Sequence, residues 1–163
     1  VRRNAMNRRN LLTAAAGGAA ALTYGRRLAM AQEHFPVQVD ADLFKGINRV
    51  KNPASETVLE KLHSPVIKAP ENVKAGEVFS VEVTIGETLH PMGPEHWIEY
   101  LQLNIGNQPT GTLVMRSHGY IKPEGRFDLV LGDAVKGKTV SPVVQIKCNL
   151  HGIWQNYTNV RVV

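Results

Sequence analysis

The sequence predicts an all-β chain, an antiparallel β-sandwich with an N-terminal arm and a signal peptide in front of it. The first observation is a change of pattern at Glu77, after which Phe79, Val81, Val83 and Ile85 alternate with Ser80, Glu82 and Thr84, the period of a half-buried strand. The second is recurrence: similar runs follow at 97–105, 112–117, 126–131, 140–148 and 157–163. Turn signals separate them, among them Gly106-Asn107, Pro123-Glu124-Gly125 and Gly132-Asp133, and six or seven short strands at such spacing indicate a sandwich. The third is size, since 163 residues at 43% hydrophobic and 20% charged content suit one domain with one core.

The stretch before the first strand divides in two. Residues 1–31 have the parts of an export signal: paired arginines in Asn7-Arg8-Arg9-Asn10-Leu11-Leu12, an Ala/Gly/Leu run over 11–24, and a small-x-small site at Ala29-Met30-Ala31. The apolar run is too short and too weakly hydrophobic for a stable membrane span. Its modest hydrophobicity, with Arg26 and Arg27 near the cleavage site, fits a twin-arginine signal and a periplasmic destination. Residues 32–62 lack strand alternation and read as an arm over the core, with a short helix starting near Pro53 or Ser55 and running towards Glu60. The sandwich domain is expected over 63–163.

The formal charge of +5 does not imply a nucleic-acid partner. Six of the 19 basic residues (Arg2, Arg3, Arg8, Arg9, Arg26 and Arg27) lie in the leader, and setting them aside leaves 13 against 14 acidic residues. No Lys/Arg stripe remains to follow a phosphate backbone. The chain also lacks a Gly-rich phosphate loop and a Gly-x-Ser-x-Gly elbow, so nucleotide-binding and hydrolase classes lose their usual markers.

Chemistry is concentrated in histidine and cysteine. Cys148 is the sole cysteine, so an exported chain could not pair it internally. It lies in phase with Val144 and Ile146, which turns its sulfur to the core side as the strand ends, and His151 follows in a compact Cys-x-x-His turn. His90 and His96 flank Pro91-Met92-Gly93-Pro94-Glu95, where two prolines stiffen the backbone between two imidazoles. His63 stands before Pro65, where an extended segment would carry it across the end of the sandwich. Thiolate and imidazole are the strongest transition-metal ligands that a protein offers. Met92 and Met115 read as filler, Trp97 and Trp154 as packing, and His34 and His118 have no partner spacing.

Three segments carry a family resemblance. His90-Pro91-Met92 with Glu95-His96-Trp97-Ile98-Glu99-Tyr100, then Cys148-Asn149-Leu150-His151-Gly152-Ile153-Trp154, closely resemble the superoxide reductases, the neelaredoxin and desulfoferrodoxin family. Glu60-Lys61-Leu62-His63-Ser64-Pro65-Val66-Ile67 is similar to that family's remaining ligand motif. The resemblance runs from His63 to the C-terminus. It implies an immunoglobulin-like sandwich with one ferrous iron at one end, held by His63, His90, His96 and His151 in a plane and by the Cys148 thiolate on the axis opposite an open position. A single cysteine excludes the additional four-cysteine iron centre of desulfoferrodoxins.

The implied partners are superoxide and an external electron donor, and a homo-oligomer is compatible with the sequence. The thiolate would raise electron density on the iron, and four neutral imidazoles would leave the centre positively charged towards an anion. In the family a Glu and a Lys stand two and one residues before the first histidine, as candidate catalytic groups. Here Leu62 intervenes, so Glu60 and Lys61 are each displaced by one. An exported copper carrier of the cupredoxin type is the main alternative, but it needs a Met after the cysteine and would leave two histidines over. A sulfur-carrying or adaptor sandwich needs an exposed thiol. A structural zinc site is usually closed with four donors, whereas five are present.

Overall fold

The computed structural model describes residues 40–117 and 121–163. The leader, the first part of the arm with His34, and His118 lie outside the described residues. Among the described residues no helix is long and apolar enough to cross a membrane.

The described chain runs through a 3-10 turn (Ala41–Phe44), β1 (Ile47–Asn48), α1 (Val58–His63), β2 (Pro65–Lys68), β3 (Asn72–Val73), β4 (Val78–Ile85), β5 (Ile98–Ile105), β6 (Gln108–Val114) and β7 (Glu124–Val130). After a second 3-10 turn (Asp133–Val135) come β8 (Thr139–Val140), β9 (Pro142–Cys148), β10 (Gly152–Tyr157) and β11 (Val160–Val162). One sheet has the order β1-β10-β9-β5-β6; the others are β2-β4-β7 and β3-β11-β8. Pairing is antiparallel except at two short edges, β1 with β10 and β3 with β11. Alternate residues of β4 and β9 are buried, as period two requires. Val81, Val83 and Ile85 thereby meet Leu101, Leu103, Val144 and Ile146 in one core. The sandwich expected from the sequence is the architecture found.

Boundaries differ where local chemistry intervenes. The expected strand over 140–148 is two, because the chain changes sheets at Ser141: Val140 pairs with β11, and Pro142, which has no N–H, opens β9. The run over 157–163 breaks likewise at Thr158-Asn159 between β10 and β11. The helix begins later than expected. Asn52 accepts from the amides of Ala54 and Ser55 to make a turn, and the N-cap is Thr57, which forms a reciprocal capping box with Glu60.

Three connections carry the interesting side chains to one end. β9 and β10 form a hairpin in which Cys148 faces Gly152, so Asn149, Leu150 and His151 are its turn. On the other side Cys148 faces Ile98 of β5, and a bulge at Glu99 follows at once. The carbonyl of Lys61, near the C-terminal end of α1, accepts from the amides of Glu87 and Thr88 after β4. Two glycines make these approaches feasible. Gly86 (φ +77°) lies against the Leu62 carbonyl, and Gly152 (φ +71°) against the Leu43 carbonyl of the arm. A β-carbon at either would combine a left-handed backbone with a backbone clash.

Gly86→Ala and Gly152→Ala are each expected to lower stability by about 1–3 kcal/mol, read as a lower urea midpoint of the full chain. Wild-type midpoints would show that the close approaches are not required.

Candidate metal centre

His63 is the last residue of α1, not part of an extended segment as its position before Pro65 implies. Its Nδ1 lies 2.8 Å from the Leu59 carbonyl oxygen. A carbonyl only accepts, so Nδ1 carries the proton and Nε2 presents a lone pair. His90 is fixed in the same way by the Pro91 carbonyl, 2.6 Å from Nδ1. Its Nε2 is the buried side-chain atom, among the described residues, that has no hydrogen-bond partner. Trp154 holds two of the rings: its indole stacks on His63 at 5.3 Å between centroids, and its N–H donates to the His151 carbonyl.

The ligand atoms of His63, His90, His96 and Cys148 all lie within 4.8 Å of one another. His151 joins them: its Nδ1 is 3.0 Å from His63 Nε2, 3.2 Å from His96 Nε2 and 3.4 Å from Cys148 Sγ. His96 Nε2 is 3.1 Å from Cys148 Sγ. Atoms each about 2.1–2.3 Å from a common ion and at right angles lie ~3.0–3.2 Å apart, so these separations suit neighbouring ligands of one metal. The rings of His63 and His90 meet edge to face, as do those of His96 and His151. Five donor atoms therefore converge, and among them His90 Nε2 has no proton to pair it.

Burial sets the charge state. It pushes His63 down to about 4, with the neighbouring imidazoles adding to the effect, and His90 to about 3. His96 is lowered to about 4 and His151 is lowered as well, again by burial first. The same desolvation raises the Cys148 thiol. At neutral pH the metal-free centre holds four neutral imidazoles and a protonated thiol. Such imidazoles are ready to ligate, and the thiol must lose its proton to do so. The donor set fits one soft or borderline cation, iron included.

Glu60 and Lys61 are placed differently. The Glu60 carboxylate is not in this cluster: it accepts from the Thr57 amide and hydroxyl and the Lys51 amide, and the Thr57 backbone bond leads in holding it below the usual carboxylate range. At about 100° per helical residue, Lys61 stands about 200° round α1 from His63 and is exposed. The extra residue Leu62, in a helical rather than extended segment, produces both displacements.

Sequence reasoning passed over Asn149 and Asn48. The Asn149 side chain ties the Cys148 turn to the loop of His96. Asn48 Nδ2 donates to the carbonyls of Leu43 and Ile153 and so joins the arm to β10. For Asn149, its place between Cys148 and His151 was the available signal. Met92, read as filler, also accepts from the Ile98 amide through its sulfur at 3.4 Å.

Residues 55–157 match the family model described as desulfoferrodoxin. The chain belongs to the desulfoferrodoxin family. A superoxide reductase of Pyrococcus abyssi is 36% identical over 101 residues, covering 58% of this chain and 83% of that protein. A desulfoferrodoxin of Nitratidesulfovibrio vulgaris is 30% identical over 110 residues, covering 65% and 69%. The solved structure of superoxide reductase (neelaredoxin) from Ignicoccus hospitalis matches with a TM-score of 0.60 at 28% identity, covering 77% of this chain and all of that one. The family's region includes all three segments that bring donors to the centre.

The depressed histidines give the metal-free chain a definite pH response. Their folded values lie below the ordinary value near 6.5, so the unfolded chain takes up protons first on acidification. Stability of the iron-free protein should fall as pH drops from about 7 towards 4, read as a declining urea midpoint, and His90→Gln should flatten the decline. A midpoint that is constant or rises on acidification would contradict neutral, buried imidazoles.

Proposed function

We propose that this chain is a superoxide reductase of the one-iron type, which converts superoxide to hydrogen peroxide with electrons from an external donor. The observation that carries this reading is the convergence of His63, His90, His96, His151 and Cys148 at separations that suit one metal. When bound, iron supplies a single electron and passes from ferrous to ferric. Superoxide takes up that electron and two protons to become hydrogen peroxide, and a redox protein or small reductant restores the electron.

The chain's own residues set the conditions. His63 and His90 are fully buried and fixed through Nδ1, while His96 and His151 are partly exposed, so two imidazoles anchor the centre and two border solvent. Four neutral donors and one thiolate leave a net positive charge to attract the superoxide anion. Burial of Cys148 keeps its sulfur away from competing oxidation chemistry in solvent and within reach of the amides of Leu150 and His151, which favour the thiolate. Lys61, exposed and on the far side of α1 from His63, contributes through its charge rather than by contact. Glu60 acts by capping α1, the helix that presents His63. Residues 1–31 support export by the twin-arginine route, so the reading places the protein in the periplasm.

Two tests follow. The iron-loaded protein mixed with superoxide under pulse radiolysis should yield one hydrogen peroxide and one ferric centre per superoxide consumed, with no dioxygen formed; dioxygen at half the superoxide consumed would mean dismutation. Cys148→Ser should remove the visible thiolate-to-iron band of the oxidised protein and at least about tenfold of the rate, with an unchanged circular dichroism spectrum. Lys61→Ala should slow the encounter by less than about threefold at low ionic strength and have no measurable effect at high salt, where the screening length falls to ~3 Å.

A further inference from the structure

His63 closes a helix, Cys148 ends a strand, and His151 lies in the turn of a tight hairpin. His96 has no such support, because it stands in the irregular segment before β5. It is also only partly buried, so packing alone does not settle where its ring points. One neighbour ties its backbone to the Cys148 turn. The Asn149 side-chain Oδ1 accepts from the Trp97 amide at 2.8 Å, and its Nδ2 donates to the Glu95 carbonyl at 2.8 Å. The Asn149 backbone amide also donates to the Trp97 carbonyl at 3.1 Å. Both residues that flank His96 are thus tied to the residue that follows Cys148.

We propose that Asn149 is a positioning residue that fixes His96 Nε2 relative to Cys148 Sγ and so governs how tightly the centre holds its metal. The inference rests on the reading that the five donors bind one metal. Only an amide fills the role as found, since one end must accept from an N–H and the other must donate to a carbonyl. Aspartate keeps the first bond and sets a carboxylate oxygen against the Glu95 carbonyl. Alanine loses both and leaves only the backbone bond. What then remains on the loop is the Gly93 amide to the His96 carbonyl at 3.1 Å and the Met92 sulfur contact, both within the loop or to β5. Neither ties Glu95 or Trp97 to the Cys148 turn; the next link to Cys148 is Ile98, which faces it across β5 and β9.

The test uses the full chain, with Fe(II) under anaerobic conditions and Zn(II) in competition with a chromophoric chelator. Asn149→Ala should weaken both metals by about 10–100-fold, the range for partners that orient a ligand, and Asn149→Asp should lose less. Should Asn149→Ala fail to fold, the near-isosteric Asn149→Asp carries the comparison. A role in general stability would appear in every background, so the deciding readout is non-additivity. In a His96→Ala background Asn149→Ala should cost less than about twofold in zinc affinity, while in a His63→Ala background its full factor should persist. Wild-type affinity in Asn149→Ala, or equal losses in the two backgrounds, would overturn the inference. A wild-type chain that binds zinc but not iron would overturn the proposed function and leave this comparison readable, and one that binds neither would overturn both.

Discussion

The structure depends on one costly arrangement: five donor atoms without charge face one another at the end of the sandwich, those of His63, His90 and Cys148 on fully buried residues and those of His96 and His151 on partly exposed ones. An unpaired buried acceptor such as His90 Nε2 costs about 1–3 kcal/mol, and the ring nitrogens of His63, His96 and His151 crowd together at 3.0 and 3.2 Å. Nothing in the apolar core offsets these terms locally. A cation at the point of convergence would satisfy all five at once, which is why the metal reading explains the side-chain orientations better than packing does. The outer nitrogens follow the same logic. Leu59 and Pro91 engage the Nδ1 atoms of His63 and His90, so their Nε2 atoms are committed inward before any metal arrives.

The scaffold meets this demand with segments far apart in sequence. α1 delivers His63, the segment after β4 delivers His90 and His96, and the β9–β10 turn delivers Cys148 and His151. Each is cross-linked to another by backbone hydrogen bonds: Lys61 to Glu87, Trp97 to Asn149, and Asp40 of the arm to Leu150. The Gly86 and Gly152 approaches belong to the same set of constraints, because both let a backbone carbonyl pass where a side chain would stand. The arm covers the turn that carries His151, and its Leu43 and Leu59 pack against the core.

Much of this was legible because periodicity and ligand chemistry are local. The alternation over Phe79 to Ile85 located β4, and the phase of Val144, Ile146 and Cys148 placed the sulfur on the buried side, as found. The prolines at 91 and 94 marked the loop between two imidazoles. Less legible were features set by partners distant in sequence. The change of sheet at Ser141 depends on what β8 and β9 each pair with. The fate of Glu60 depended on whether the segment before His63 was helical, since a helix gives its carboxylate Thr57 to cap and turns Lys61 outward. Asn149 carries no periodic signal, and its two side-chain bonds go to backbone atoms more than fifty residues away, which a single sequence cannot reveal.

The central claim is that neutral imidazoles and one protonated thiol await a single iron. Anaerobic calorimetric titration with Fe(II) at pH 7, repeated in buffers of different ionisation enthalpy, measures both stoichiometry and protons released. The account predicts one iron per chain and about one proton per iron, that of Cys148, because histidines held near 3 to 4 have none to lose. Release of two or more protons per iron, or saturation at a ratio other than one, would contradict it.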